Sequence, residues 1–138
     1  MREVTPSVGQ ARIIERAAEV TASDSRIQAA WLGGSFAAGT ADEFSDIDLH
    51  CAISADSAGW FRGHWADLAR QITPVVLTAP IPGVIGGLVI TPEWAHLDIV
   101  LHPVDPAAGL DPWRRGPVRP LFDRVGPRTA RSCGAMSA

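Results

Sequence analysis

Two stretches of the chain alternate strictly between apolar and polar positions. In DIDLHCAIS, residues 46–54, Asp46, Asp48 and His50 share one face of an extended strand while Ile47, Leu49 and Cys51 share the other. WAHLDIVLH, residues 94–102, sets His96, Asp98, Val100 and His102 against Leu97, Ile99 and Leu101 in the same way. Elsewhere the period is helical. Thr5-Pro6 marks a helix start, and Val8, Ala11, Ile14, Ala17 and Ala18 form an apolar stripe up to a stop at Thr21–Asp24. A second helix is predicted over Asp56–Ile72, with Trp60, Trp65, Leu68 and Ile72 as its stripe and Gly63 weakening it by roughly 1 kcal/mol relative to alanine.

Ile27–Leu32 reads as a buried strand running into Gly33-Gly34, and Ser35–Ala38 as the first turn of a short helix. VVLTAPIPG and VIGGLVITP read as short strands or a hairpin, with prolines at edges and ends, and PLFD at 120–123 as one more short strand. Beyond Pro103 the composition shifts to Pro, Gly, Arg and Asp. The order of elements predicts an α/β (α+β) domain, a mixed β-sheet with helices packed on one face, over residues 1–126, followed by a disordered tail at 127–138. Strand directions are not set by this pattern.

At 138 residues the chain suits one domain with a single core, short for an enzyme that must also enclose a second substrate. A net charge of -3 and no basic patch before residue 114 argue against a general grip on nucleic acid. All 12 basic residues are arginine, which excludes the lysine-dependent P-loop. Two cysteines, Cys51 and Cys133, with no CxxC, form neither a disulfide framework nor a zinc knuckle, and predict a cytoplasmic protein. The first twenty residues intersperse acids and bases, unlike a signal peptide, and Val75–Ile90 is broken by Pro80, Pro82 and three glycines, unlike a membrane span.

Aspartates at i and i+2 on a strand lie on the same side and close together. Two carboxylates ~4 Å apart repel by about 4 kcal/mol at an effective dielectric of 20, so one is protonated or a cation lies between them. A third carboxylate, Asp98, on a neighbouring strand would strengthen the demand for a dication. Oxygen-only ligands favour magnesium or manganese, and magnesium commonly joins one or two carboxylates to substrate phosphates. The Gly34-Ser35 turn offers backbone N–H groups and a hydroxyl suited to terminal phosphates. An EF-hand does not fit, because the sixth loop position counted from Asp42 or Asp46 is Ile47 or Cys51, not glycine.

These residues resemble the nucleotidyltransferase superfamily of the DNA polymerase beta type, and within it the minimal nucleotidyltransferases and aminoglycoside adenylyltransferase-like proteins. The family pattern is Gly-Ser, a spacer of about ten residues, Asp-x-Asp and a later strand Asp, met here by Gly34, Ser35, Asp46, Asp48 and Asp98. PLFDRVG at 120–126 is similar to the strand that follows the core in antibiotic adenylyltransferases. The resemblance implies a palm-like core and a Mg2+- or Mn2+-dependent transfer of AMP from ATP to a hydroxyl. Asp46 and Asp48 would hold the metal, and Asp98 would complete the metal site or act as general base.

For the acceptor the resemblance implies a small molecule such as an aminoglycoside. Alternative readings are a minimal domain of a toxin-antitoxin type pair that adenylylates a protein hydroxyl beside a helical partner chain, a homodimer that supplies a missing wall, or a non-catalytic nucleotide-binding module. Antibiotic adenylyltransferases usually continue into a helical domain that shapes the acceptor site, and no such pattern follows the core here. Of the remaining residues, His50 and His102 read as hydrogen-bonded structural partners, and Asp42 and Glu43 as loop residues. Trp31 and Trp60 read as core, Trp94 and Trp113 as loop residues able to line a pocket, and Arg114, Arg115 and Arg119 as a solvated run.

Overall fold

The computed structural model describes residues 7–104 and 116–124. Helix α1 (Val8–Ala22) is followed by β1 (Ile27–Gly33), the short α2 (Gly34–Ala38) and β2 (Ile47–Ser54). A 3-10 turn at Ala55–Ser57 leads into α3 (Ala58–Ile72), then β3 (Leu77–Pro80), β4 (Ile85–Ile90), β5 (His96–Val104) and β6 (Arg119–Asp123). The six strands form one sheet in the order β3-β4-β5-β2-β1-β6. β2 and β5 pair in parallel at its centre, and every other pair is antiparallel. The fold is a mixed-sheet α+β arrangement, as the pattern of elements predicts.

One face of the sheet carries the core. Ile47, Leu49, Leu97 and Ile99 are fully buried there with Phe61, Trp65, Leu68 and Ile72 of α3 and Ile13, Ile14 and Ala17 of α1. Each such side chain contributes roughly 1.5–3 kcal/mol on burial, so the central register is strongly fixed. A slip of one residue would drive Asp48 and Asp98 into the core and push four aliphatic side chains out. The same register therefore aims the acids at the opposite face. A smaller cluster, Ala29, Trp31, Ala52 and Val104, occupies that opposite face further along the strands.

Several details depart from the pattern-based expectation. The expected start at Thr5-Pro6 lies outside the described residues; α1 is capped by Ser7, whose hydroxyl accepts from the Gln10 backbone N–H while the Gln10 side chain accepts from the Ser7 N–H, a reciprocal cap. Its buried stripe is Ile13, Ile14, Ala17 and Val20, and Val8 is exposed. Phe61, not Trp60, takes the core position on α3. Trp60 instead lies outside, stacked on His64 and covered by the Arg26 guanidinium 3.8 Å from its ring centroid.

Gly86 and Gly87 explain why β4 tolerates two glycines. A Cβ on Gly86, at φ 139°, would strike the Ile99 carbonyl, and one on Gly87 would strike the Ala79 carbonyl and the Trp65 ring. Among the described residues no helix is long and apolar enough to cross a membrane. The expected tail at 127–138, together with Trp113, Arg114, Arg115 and Cys133, lies outside the described residues.

Candidate functional site

Asp48 on β2 and Asp98 on β5 are register partners across the parallel pair. Burial of the Asp98 carboxyl, then the nearby charges of Asp48 and Asp46 and a hydrogen bond with Asp48, hold its pKa up at about 6, against a smaller opposing pull from His96. A protonated Asp98 donates to the Asp48 carboxylate. The proton thus relieves the repulsion between the two acids, the task a dication would perform at higher pH.

Asp46 stands one residue before β2, so it does not join this hydrogen bond. Its Oδ1 lies 3.6 Å from His96 Nδ1, with both side chains about half exposed. The structure therefore pairs Asp48 with Asp98 and keeps Asp46 beside them, close enough to act on the Asp98 charge. Among the described residues no group of three or more His, Cys, Asp or Glu side chains is drawn together as a ready metal cluster. Two paired carboxylates with an oxygen-only donor set do fit an ion such as magnesium, which takes one or two carboxylates and completes its shell with phosphates and water.

The Gly-Ser turn sits over Asp48. Gly34 opens α2 at φ 61°, and a Cβ there would collide with Asp48 Oδ2. Only glycine satisfies both the left-handed backbone and the close approach. Ser35 follows in the first turn of α2, and its carbonyl accepts from the Gly39 and Thr40 N–H groups. Its hydroxyl is left without a hydrogen bond among the described residues.

Behind the acids, His50 and His102 join ring to ring, with 3.0 Å between His50 Nδ1 and His102 Nε2, and both rings lie parallel to Trp31. Burial lowers the His50 pKa, against an opposing pull from Asp48, and burial followed by the His50 charge pulls His102 down to about 4. They form a neutral structural pair. His50 also packs beneath Gly33, where a Cβ would come within 3.2 Å of His50 Nε2.

Sequence reasoning passed over Gln10. This side chain is only 3% exposed and its Nε2 donates to the carbonyls of Asp42 (3.1 Å) and Ser45 (2.8 Å), tying α1 to the loop that delivers Asp46. The signal was the Ser7-x-x-Gln10 capping spacing. Asp42 builds the same loop from within, its Oδ1 accepting from the Phe44 N–H at 2.9 Å. Beside this loop a cavity of about 380 Å3 opens between the start of α1 and the turn before β5, with Phe44, Asp46, Trp94 and His96 in its wall.

No curated protein matches the chain. Residues 14–75 match the family model described as a nucleotidyltransferase domain, a span that takes in Gly34, Ser35, Asp46 and Asp48 and ends before Asp98. The match, with the mixed sheet that brings Asp98 against Asp48, supports an assignment to the nucleotidyltransferase superfamily.

Proposed function

We propose that the protein is an adenylyltransferase that moves AMP from ATP to a hydroxyl of a small molecule such as an aminoglycoside, in the cytoplasm. The nucleotidyltransferase-domain match over residues 14–75 supports nucleotidyl transfer in general. The observation that carries the finer reading is the pairing of Asp48 with Asp98 directly beneath the Gly34-Ser35 turn.

Asp46 and Asp48 would hold Mg2+ or Mn2+, which when bound offsets the charge that develops on the phosphate oxygens. Gly34 and Ser35 bind the terminal phosphates through backbone N–H groups and the free hydroxyl. The acceptor oxygen attacks the α-phosphorus, a new O–P bond forms, and the bond to the β-phosphate oxygen breaks. Pyrophosphate leaves with the electron pair. Asp98 accepts the hydroxyl proton, a role suited to a carboxylate whose affinity for protons is raised by its surroundings. Its place on β5 sets it in register with Asp48.

Asp48→Asn tests this directly. Pyrophosphate release with ATP, Mg2+ and an aminoglycoside panel should fall at least about 100-fold while far-UV circular dichroism stays unchanged. Undiminished turnover in that variant would remove the acid pair from the chemistry.

A further inference from the structure

The two ring nitrogens of His50 stand in different surroundings. Nδ1 is bound to His102 Nε2 at 3.0 Å, and the ring plane lies within 10° of the Trp31 ring, so the imidazole is held in one orientation. The strand register sets which way each nitrogen is turned. His102 pairs with Ala52, one same-face step beyond His50 on β2, whereas Gly33 pairs with Asp48, one such step before it. Nδ1 is therefore turned away from the acid pair and Nε2 toward it. A Cβ on Gly33 would lie 3.2 Å from His50 Nε2 and 4.0 Å from Asp48 Cβ, so the imidazole edge fills the place of the side chain that Gly33 lacks, just before the Gly34-Ser35 turn.

His50 makes no second hydrogen bond among the described residues, which leaves Nε2 partly buried and without a protein partner there. Asp48 stands on that side, and its carboxylate attracts a proton on Nε2 and repels a lone pair. With the proton on Nε2, His102 Nε2–H donates to His50 Nδ1, and His50 Nε2–H is left to donate in turn. The chain has no lysine, and the two register rows beside the turn, Gly33-Asp48-Asp98 and Trp31-His50-Val100, hold no arginine. A phosphate seated over them depends on N–H and O–H donors. We propose that His50 is a phosphate-binding residue of this site, its Nε2–H donating to an oxygen of the triphosphate, with His102 as the positioning residue that keeps the proton on that nitrogen. A neutral donor suits the place, because it adds no ion pair to draw Asp48 away from a metal ion. The assignment rests on the nucleotidyl-transfer reading and adds to it a donor from outside the Gly-Ser and aspartate pattern.

Two substitutions divide the nitrogens between them. His50→Asn places its amide near the position of Nδ1, keeping a link to His102 with no donor against Gly33, and His50→Gln carries its amide out toward the position of Nε2 and gives up the link. By calorimetry with ATP and Mg2+, and again with tripolyphosphate and Mg2+, His50→Asn should bind at least about tenfold more weakly than the native protein, and His50→Gln within about threefold of it. An imidazole with a structural role alone predicts the opposite order, since only His50→Asn keeps the link to His102. That opposite order, an equal loss in both variants, or no loss in either would overturn the proposal.

The native protein supplies a reading that does not depend on how the variants fold. In a nitrogen–proton correlation spectrum of isotope-labelled protein, the His50 proton should reside on Nε2, and the Nε2 resonance should move when tripolyphosphate and Mg2+ are added. In His102→Leu the proton should spread over both ring nitrogens and bring their shifts together. A proton on Nδ1, an Nε2 resonance indifferent to tripolyphosphate, or a tautomer unchanged in His102→Leu would also overturn the proposal. ATP bound equally by the native protein and by His50→Asn leaves the nucleotidyl reading standing and removes His50 from the site. Failure of the native protein to bind ATP or tripolyphosphate removes that reading and this proposal together.

Discussion

Gly34 and Asp48 are coupled by space. Gly34→Ala introduces both a strained φ and a methyl group where Asp48 Oδ2 lies, so the variant should lose about 1–3 kcal/mol in urea unfolding, together with nucleotide affinity. An unchanged midpoint would mean that the turn relaxes away from Asp48. The titrating residues act in opposite directions. Asp98 has a folded pKa raised to about 6, so the folded state binds the extra proton between roughly pH 4 and 6 and metal-free stability from this group falls as pH rises through that window. His102, lowered to about 4, and His50, also lowered, do the reverse: the unfolded state protonates first, and stability is lost as pH falls from about 6.5 toward 4. The two tendencies oppose in the native protein. In EDTA, Asp98→Asn should therefore steepen the loss of thermal midpoint on acidification, and His102→Gln should flatten or invert it. Parallel pH profiles for all three proteins would show that neither group is perturbed.

At the scale of elements, the two alternating strands were readable because a period of two can satisfy only one buried face, and Leu49, Cys51, Leu97 and Ile99 fill it without interruption. Their parallel pairing was not, since residue pattern alone does not distinguish it from a hairpin. The helices were placed well and rotated wrongly. Trp60 and Phe61 are adjacent; Phe61 is the one buried, while Trp60 lies outside under Arg26, itself held by Asp24 across a 2.7 Å ion pair. Gly34, Ser35, Asp48 and Asp98 were legible in the sequence as candidate site residues, whereas the meeting of Asp98 with Asp48 depends on the β3-β4 hairpin that returns β5 to β2. Gln10 is the joint between α1 and the acid-bearing loop. Gln10→Ala should cost about 1–3 kcal/mol by orphaning two carbonyls, and should lower kcat through displacement of Asp46. Stability lost with kcat intact would confine Gln10 to a structural role.

At the scale of the whole molecule, the acids are a destabilising feature that a ligand can reverse. An ion that binds the folded chain and not the unfolded one stabilises by RT ln(1 + [L]/Kd), about 2.7 kcal/mol at one hundred times Kd. Millimolar Mg2+ or Mn2+ with ATP should accordingly raise the thermal midpoint of the native protein, and the rise should vanish in Asp48→Asn. A shift of equal size in that variant would locate the binding elsewhere. The parallel pairing of β2 with β5 also spaces the site out in time. During synthesis, Gly34, Ser35, Asp46 and Asp48 leave the ribosome while Asp98 is still untranslated, and the span that matches the nucleotidyltransferase-domain model ends at residue 75. A nascent or fragmented chain can thus carry the whole matched span and still lack the last aspartate of the pattern, the carboxyl that shares a proton with Asp48.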